Sequence, residues 1–289
     1  MKIYILKTPE VLRPKSQKFN YPKHNNDYGV EQDFYDFLQA NQEYLTNSTI
    51  EADWHYLPVY WTRWHLNHHY GNSGLQELQG YVDEVILEDS KTFTICQYDD
   101  GPIIDLGKTV QFLSSRKTLN GIDIPLLCKN HSRPWFTQKK QYLASFVGRI
   151  KTHPIRLQMF KELKDLEGIF IQDGNMSTRK FIRLLLQSYL ALAPRGYGGS
   201  SFRFFEAMQL GVPPILLGDL DTRPFKKFLP WDLVSKYVKS IPELMDFLNQ
   251  KTKSEFLIMG EESAIFFVNN LTYQKWCPYV FKELESIDG

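Results

Sequence analysis

The segment from residue 142 to residue 219 alternates short apolar runs with amphipathic stretches, and this alternation constrains the fold more than any other feature of the sequence. Apolar runs bounded by turn residues predict buried strands, whereas apolar residues at helical spacing predict helices. A regular succession of the two predicts an α/β domain built on a parallel sheet. The strands are predicted at 142–149, 168–173, 188–194 and 212–219, and the helices at 153–166, 177–187 and 201–211.

The first half of the chain has the same kinds of element with less regular spacing. Residues 119–138 are rich in Pro, Lys and Asn without periodicity, which indicates a linker that ends near Lys140. Because 289 residues exceed the size at which one core keeps growing, we expect two domains, 1–140 and 141–271, and a C-terminal helical segment, 272–289. In the first domain we predict a strand at 2–6, a helix at 31–45, a strand at 52–61 and extended runs within 84–101.

Charge and hydropathy argue against two classes of partner. The 34 basic and 33 acidic residues leave a net charge of +1, which gives no basic field to attract a polyanion, so we expect no nucleic-acid binding. No apolar stretch approaches the roughly 18 residues of a membrane span, and the apolar run near the N-terminus is too short for a signal peptide. We therefore expect no membrane span.

The cysteines indicate a reducing environment. Cys96, Cys128 and Cys277 have no metal-type spacing, and their odd number leaves one thiol unpaired. Together with the absence of a signal peptide, this predicts a cytoplasmic protein, or one of the host cytoplasm if its source is a virus.

The segment from Arg195 to Glu206 has the features of a phosphate site. It joins a predicted strand to a predicted helix through the glycine-rich turn RGYGGSS. Unpaired N–H groups and the helix dipole favour an anion at a helix N-terminus, and glycine lets the backbone approach a ligand closely. The side chains suited to contact phosphate are Arg195, Ser200, Ser201 and Arg203, and Glu206 is placed to accept hydroxyls of a ribose.

The turn matches neither of two common phosphate fingerprints. It lacks the G-x-G-x-x-G spacing of dinucleotide sites and the G-K-[ST] of a P-loop. On these residues alone, an ordinary strand-to-helix turn with two surface arginines remains an alternative.

Three blocks of the sequence resemble the exostosin family of glycosyltransferases. The most specific is SYLALAPRGYGGSSFRFFEAMQLGVPPILLGD (188–219), followed by RPF (223–225). LASFVGRIKTHPIR (143–156) is similar to the start of the family's donor domain, and EADWHYLPVYW (51–61) is similar to its N-terminal strand. The three blocks stand in the family's order and are spread across most of the chain.

The resemblance implies an α/β, GT-B-like fold of two facing Rossmann-like domains with parallel sheets, in which the final helix crosses back to the first domain. It implies inverting transfer of a sugar from a UDP-sugar in the second domain to a hydroxyl of a glycan acceptor in the first, without a cofactor or a metal. We expect no membrane anchor like that of the animal members, and the sequence is more similar to the compact soluble forms of bacteria and large algal viruses. Among donor sugars, xylose is our first expectation.

Without a metal, the leaving diphosphate needs positive charge from the protein, and the candidates are Arg149, Arg156, Arg195 and Arg203. Arg149 directly follows a predicted strand, at the carboxyl end where α/β sheets bind ligands. Arg156 stands at the family's His-Pro-Ile-Arg-like position. Tyr197 is expected to border the sugar or the base, with packing in the core as the alternative.

The general base is expected in the first domain. Asp99 and Asp100 end a predicted strand at its carboxyl end, although Asp before Gly-Pro is also a turn signal. His55 and His65 are alternatives, because neutral imidazole is an able base near neutral pH. Asp53 matches the family's N-terminal block, with a structural residue at the end of a strand as the alternative.

Two further motifs have the residue types of metal sites, and for both we favour another interpretation. Asp219-Leu-Asp221 has the D-x-D form of metal-dependent glycosyltransferases but lies where the exostosin family has an ordinary loop. His65, His68 and His69 have the spacing to ligate zinc, yet nothing nearby completes a site, so an acceptor loop or plain surface is expected. We therefore expect no metal.

Two other functions remain open from the sequence. A catalytically silent module of the same fold would bind a nucleotide or a glycan without transferring sugar. A nucleotide-sugar epimerase or another Rossmann enzyme ranks last, because the chain lacks the dinucleotide fingerprint and the Tyr-x-x-x-Lys pair of such enzymes.

Overall fold

The chain forms two compact units. The computed structural model describes residues 1–15, 29–131 and 138–288. The first unit comprises Met1–Leu127 and Tyr273–Gly289, and the second comprises Cys128–Thr272. The boundary expected at residue 140 therefore lies inside the second unit, because the segment before it is already bonded there: the main-chain N–H of His131 donates to the side chain of Gln209 at 2.8 Å.

The first unit contains a five-stranded sheet in which all neighbouring strands are parallel. Its strands follow one another across the sheet in chain order: β1 (Ile3–Ile5), β2 (Trp54–Leu57), β3 (Thr92–Cys96), β4 (Val110–Leu113) and β5 (Ile122–Asp123). The first three helices of the chain belong to this unit: α1 (Gly29–Ala40), α2 (Trp61–Asn67) and α3 (Leu75–Val85).

Helices cover both faces of this first sheet. Successive residues of a strand point to opposite faces. Tyr56 of β2 packs against Phe34 of α1, with ring centroids 5.2 Å apart. The next residue, Leu57, lies in an apolar cluster with Trp61 of α2 and Leu78 of α3. Each face therefore buries its own apolar layer.

Three predictions for the first unit are wrong. The helix expected to reach Leu45 ends at Ala40, where the side chain of Asn41 bonds back to the carbonyl of Phe37 at 2.7 Å. The run EVILED begins as the end of α3 and is not an extended strand. The expected acceptor loop or plain surface is wrong for the first part of WHLNHHY, because its first four residues lie in α2 and three of them, Trp64, His65 and Leu66, are buried.

The second unit contains the parallel sheet predicted from the alternating pattern. Its strands are β6 (Tyr142–Gly148), β7 (Ile169–Asp173), β8 (Ser188–Pro194), β9 (Pro214–Leu217) and β10 (Lys236–Val238), in the spatial order β10-β9-β8-β6-β7. Its helices are α4 (Pro154–Leu163), α5 (Thr178–Leu186), α6 (Phe202–Gln209), α7 (Ile241–Gln250) and α8 (Lys253–Asn270). Gly211, with φ of 70°, follows α6 in the left-handed conformation that favours glycine.

The longest of these helices, α8, was not predicted, although the sequence carries a signal for its start. Thr252 and Glu255 form a reciprocal capping box at its N-terminus. Phe256 and Met259 of α8 join the core that β6, β8 and β9 form with α4 and α7.

The last helix, α9 (Cys277–Asp288), groups with the first unit. The connection that leads into it is held by Asp33 of α1, which accepts the main-chain N–H of Gln274 and the indole N–H of Trp276, both at 2.8 Å. Burial raises the pKa of Asp33 to about 6.

The expected fold class, α/β and GT-B-like with Rossmann-like units on parallel sheets, is confirmed. Across the residues that the structure describes, no helix combines the length and the hydropathy that a membrane span requires.

Candidate functional site

The strand order of the second sheet reverses between β6 and β8. The chain leaves β6 for β7 at one edge, and it leaves β8 for β9 and β10 toward the other edge. In open α/β sheets, ligands bind outside the carboxyl ends of the strands at such a switch point. Here those ends are Gly148 and Pro194, so the residues that follow them are the first candidates for a binding site.

The turn after β8 delivers an uncapped helix N-terminus to this point. Ser201 takes the N-cap position of α6, with φ of −147° and ψ of 132°. Its side chain makes no capping bond, and its buried Oγ has no hydrogen-bond partner in the described part of the chain. An unpaired buried hydroxyl costs free energy, and so do unpaired N–H groups in the first turn. The hydroxyl of Ser201 and the N–H groups of the first turn of α6 are therefore available to an anionic ligand.

Arg195 directly follows β8 and is only 5% exposed. Its Nη1 forms an ion pair with Asp219, which lies beyond the end of β9, whereas its Nε is buried without a hydrogen-bond partner. Burial would raise the pKa of Asp219, but the hydrogen bond and the charge of Arg195 outweigh it and lower that pKa. The ionised Asp219 thus fixes one end of the guanidinium, and the Nε–H is left for another acceptor.

Arg156 of α4 is buried as well, and it bonds to main-chain carbonyls around the switch point. Its Nε donates to the carbonyl of Arg195 at 2.8 Å, its Nη2 to that of Pro194 at 2.9 Å, and its Nη1 to that of Arg149 at 3.2 Å. These bonds tie α4 to the ends of β6 and β8. A contact between Arg156 and a leaving diphosphate stays a prediction, and the contacts present are those of a side chain that shapes the turn.

Arg203 lies in the first turn of α6 and packs over β6. Its Nε donates to the carbonyl of Val147, and its guanidinium carbon is 5.4 Å from the ring centroid of Phe146. The guanidinium of Arg156 is 5.4 Å from the same ring. Burial lowers the pKa of Arg203, and the charge of Glu206 partly offsets this shift. Guanidinium is basic enough to remain charged, so two cations flank one aromatic side chain beside the turn.

Glu206 faces the same region from the second turn of α6, with its side chain 8% exposed. Its Oε1 lies 2.9 Å from Nε2 of His131. A carboxylate only accepts hydrogen bonds, so Nε2 carries the proton. Within the described residues, no hydrogen bond reaches the other oxygen, Oε2. Glu206 therefore presents one fixed oxygen and one open oxygen.

Cys128 completes a buried group of three with His131 and Glu206. The thiol sulfur, the ring nitrogen and the carboxylate oxygen all lie within 4.8 Å of one another. Burial raises the pKa of the Cys128 thiol, and the charge of Glu206 raises it further. Among the described residues this is the one set of three or more such side chains that converges with zinc-type ligand atoms.

The remaining candidates of the second unit differ in exposure. Ser200 is buried, whereas Arg149 is exposed at the end of β6. Tyr197 is 63% exposed, which is incompatible with the alternative that it packs in the core. It therefore projects from the glycine-rich turn.

Two histidines near this site were not predicted from the sequence as site residues. His153 takes the N-cap position of α4, where its Nδ1 accepts the N–H of Ile155 at 3.3 Å. Burial and then the positive charge of Arg195 lower its pKa. Its position before Pro154 is a helix-start signal, but nothing in the sequence marks it as a site residue. His131 carries no local signal, because its partner lies in a different part of the chain.

The acidic candidates of the first unit occupy opposite edges of its sheet. Asp99 and Asp100 follow β3 at its carboxyl end, and Asp100 forms an ion pair with Lys117. Asp53 precedes β2, at the amino edge, and accepts the main-chain N–H of Lys2 at 2.5 Å. Ligands of parallel sheets bind at the carboxyl edge, so the position of Asp53 fits a structural contact and not a base.

The two histidine candidates of the first unit are both buried. His55 lies within β2, and its Nε2 is 3.3 Å from the carbonyl of Thr49. His65 lies in α2, where burial lowers its pKa to about 4 despite the nearby backbone of Pro102. His65 is therefore a neutral imidazole at physiological pH, enclosed by protein.

Side chains of both metal-like motifs are held in other contacts. Asp219 is paired with Arg195, and Asp221 accepts Nε and Nη2 of Arg223 at 2.9 Å each. Carboxylates neutralised by arginines are poor ligands for a divalent cation. In the histidine run, the ring of His68 stacks on Trp64 with centroids 4.1 Å apart.

Fold and site together define a Rossmann-like α/β protein in which a turn with the features of an anion site lies at the switch point of the second sheet. The Exostosin GT47 domain model matches residues 102–251, which are 150 of the 289 residues. The chain belongs to this family of glycosyltransferases, so the family assignment made from the three sequence blocks is confirmed. No curated protein matches the chain by sequence.

Several solved structures are similar in fold. TarM, known from S. aureus, is 12% identical with a TM-score of 0.42, and the match covers 73% of this chain and 58% of that one. AviGT4, a glycosyltransferase involved in avilamycin A biosynthesis, is 12% identical with a TM-score of 0.40, covering 99% and 98%. An alpha-glucosyltransferase in complex with UDP-glucose and DNA containing an abasic site is 8% identical with a TM-score of 0.39, covering 100% and 99%.

The chain thus spans less than two thirds of the length of TarM. At these identities and TM-scores, the similar structures carry no conclusion about what this chain binds. The expectation that it does not bind nucleic acid stays a prediction.

Proposed function

We propose that the protein is a glycosyltransferase that binds a UDP-sugar at the switch point of its second unit and transfers the sugar to a hydroxyl of a glycan acceptor. We propose further that the transfer inverts the anomeric configuration and needs no metal. Membership of the exostosin GT47 family supports the reaction class. One structural observation carries the binding site: buried polar atoms around the β8–α6 turn have no hydrogen-bond partner among the residues that the structure describes.

These atoms match the parts of a nucleoside diphosphate. Nε of Arg195 and Oγ of Ser201 are unpaired donors beside an uncapped helix N-terminus, which suits the diphosphate. Oε2 of Glu206, one and a half turns into α6, is an open acceptor that suits a ribose hydroxyl. Donors for a dianion and an acceptor for a hydroxyl are thus presented by one strand–turn–helix segment.

The chemistry follows from these charges. The acceptor oxygen forms a bond to the anomeric carbon while the bond from that carbon to the β-phosphate oxygen breaks, and the acceptor proton passes to a base. Negative charge grows on the leaving UDP during this step. Arg195, a second cation at Arg203 and the dipole of α6 stabilise that charge, which is the part of catalysis that a metal supplies in other enzymes.

For the base we propose Asp99 or Asp100, which follow β3 at the carboxyl edge of the first sheet. For the donor sugar we propose a pentose, with xylose as the first candidate, as inferred from the compact exostosin-like sequence. A panel of UDP-xylose, UDP-glucose, UDP-galactose, UDP-glucuronate and UDP-N-acetylglucosamine ranks donors by the rate of slow hydrolysis.

A catalytically silent binding module is the second candidate function. It is favoured by the contacts of three base candidates from the sequence, since Asp100 is paired with Lys117, Asp53 with the backbone of Lys2, and His55 with the carbonyl of Thr49. Such a module would bind UDP yet would neither hydrolyse a UDP-sugar nor transfer its sugar.

Calorimetry with UDP and the hydrolysis panel test the proposal together. We expect wild-type protein to bind UDP, and Arg195→Ala to weaken binding by about tenfold or more through loss of a charge-assisted hydrogen bond. Lys164→Ala is the matched control, because this cation follows α4 at the opposite edge of the sheet. Equal UDP affinities for wild type, Arg195→Ala and the control would refute the site, and UDP binding without any turnover would favour the silent module.

A further inference from the structure

One carboxylate oxygen of Glu206 is fixed and the other is open, and the fixed one is held by a residue far away in the sequence. His131 and Glu206 are 75 positions apart, and the bond between them measures 2.9 Å. Both side chains are at least nine-tenths buried, with 7% and 8% exposure. The geometry leaves Oε2 as the part of this carboxylate that remains available to a ligand.

His131 is itself anchored to the helix that carries Glu206. Its main-chain N–H donates to Oε1 of Gln209 at 2.8 Å. Glu206 and Gln209 are three residues apart on α6 and therefore lie on the same helix face. The ring of His131 also packs near Phe181 of α5, with centroids 6.3 Å apart. Two bonds to one helix face and a ring contact thus define the direction in which Nε2 points.

We propose that His131 is a positioning residue for nucleotide binding: it fixes the carboxylate of Glu206 so that Oε2 accepts a hydroxyl of the bound ribose. This inference rests on the proposed function, because it takes a nucleotide as the ligand of the site. A free glutamate side chain loses conformational entropy when it binds a ligand. A glutamate side chain that His131 already holds has less conformational entropy to lose on binding. His131 therefore raises affinity for the ribose without contacting it.

The distances favour a hydrogen bond over a shared metal ion. Two ligands of one tetrahedral zinc ion, each with a bond of about 2.0–2.2 Å, are roughly 3.3 Å apart. The separation of 2.9 Å between Nε2 and Oε1 is that of an ordinary N–H···O bond. Cys128, the third member of the group, lies within 4.8 Å of both. Because its sulfur would make zinc binding possible, the test includes a metal analysis.

The test compares ligands that differ by one hydroxyl. UDP, 2′-deoxy-UDP and 3′-deoxy-UDP are titrated into wild type, Glu206→Ala, His131→Ala and His131→Gln by calorimetry. Wild type is expected to prefer UDP over at least one deoxy analogue by about tenfold or more, the effect of one hydrogen bond to a charged group. Glu206→Ala should abolish this preference, and His131→Ala should reduce it to within about threefold.

His131→Gln is the rescue variant, since its side-chain amide can donate from the place of Nε2. We expect it to recover most of the preference for UDP. A merely structural role for His131 would weaken all three ligands equally and leave the ratios unchanged, which would overturn the inference. Thermal melts identify any variant that fails to fold, and His131→Gln then carries the test.

Other outcomes separate the proposal about His131 from the proposed function. If UDP binds wild type and Glu206→Ala loses the preference while both His131 variants keep it, the inference about His131 is wrong and the site stands. If wild type binds no UDP at all, the proposed function is wrong, and the inference about His131, which rests on it, is wrong as well. One equivalent of zinc in the purified protein that Cys128→Ser removes would also overturn it, because a metal would then hold Glu206.

Discussion

A Cβ atom added at Gly196 would lie 2.9 Å from Nη2 of Arg156. That distance is below the contact limit for carbon and nitrogen, and the guanidinium cannot retreat without losing hydrogen bonds of 2.8–3.2 Å to carbonyls at the ends of β6 and β8. The glycine after Arg195 is therefore required by packing, because an arginine fills the space that a side chain would need.

We predict that Gly196→Ala destabilises the protein and weakens UDP binding. Displacing Arg156 from its carbonyls would cost about 1–3 kcal/mol, the range for a hydrogen bond to a charged group, and would move the turn that leads to Ser201. Urea denaturation measures the first effect and calorimetry with UDP the second. Arg156→Ala is the companion variant: if Gly196→Ala acts through Arg156, the double variant should be no less stable than Arg156→Ala alone.

Gly260 gives a further prediction, and its control is a substitution at Gly80, for which we expect the opposite effect on stability. At Gly260 of α8, an added Cβ would lie 2.4 Å from the carbonyl oxygen of Gly211, a backbone atom that cannot turn aside. Gly260→Ala should therefore destabilise by about 1–3 kcal/mol, despite the better helix propensity of alanine. Gly80 in α3 has no atom within 4 Å of such a Cβ, so Gly80→Ala should stabilise by about 0.5–1 kcal/mol. If Gly260→Ala and Gly80→Ala changed the unfolding free energy in urea denaturation by the same amount, the close packing of α8 against Gly211 would be refuted.

The buried Asp33 predicts a pH dependence of stability. Its pKa is about 6 in the folded protein and 3.8 for a free side chain, so between these values the folded state holds a proton that the unfolded state has lost. The unfolding free energy therefore falls as pH rises from about 4 to about 6, by up to about 3 kcal/mol. The stabilisation is complete below the lower pKa and is lost above the upper one.

Asp33→Asn isolates this effect, because its amide oxygen can accept the same N–H groups of Gln274 and Trp276 without ionising. The difference in unfolding free energy between wild type and Asp33→Asn should shrink or reverse in favour of the variant as pH rises through 6. A difference that stays constant from pH 4 to pH 7 would show that Asp33 does not titrate in this range.

We expect UDP binding to be independent of divalent cations. Asp219 and Asp221 are paired with Arg195 and Arg223, and the phosphate-facing groups are donors of hydrogen bonds. Excess EDTA, and separately millimolar Mg²⁺ or Mn²⁺, should change the affinity for UDP by less than about twofold. Tenfold tighter binding with Mn²⁺, lost in Asp219→Asn, would instead make the D-x-D sequence a metal site.

The sequence predicted local structure well where strand and helix signals are regular. The strand predicted at 188–194 matches the structure, and the helix predicted at 201–211 is present as Phe202–Gln209, because apolar runs and glycines are local signals. The helix α8 escaped prediction because apolar residues such as Ile258 and Ile265 are exposed on it, which obscures its amphipathic pattern. The capping box that begins at Thr252 is nevertheless recognisable in the sequence.

Residue roles were harder to predict, because they depend on contacts between distant segments. An arginine in a sequence has no visible partner, and only the fold shows that Arg156 bonds to carbonyls while Arg195 pairs with Asp219. The same holds for Glu206, whose partner His131 precedes it by 75 residues. One segment of the sequence was enough to propose a type of site, whereas the contacts of its individual side chains could not be predicted.

The most direct test of the nucleotide site is a crystal structure of the protein with UDP. We predict that the diphosphate lies at the N-terminus of α6, within about 3 Å of Oγ of Ser201 and Nε of Arg195, and that a ribose hydroxyl lies at Oε2 of Glu206. UDP bound elsewhere, with Ser201, Arg195 and Glu206 free of contact, would contradict it.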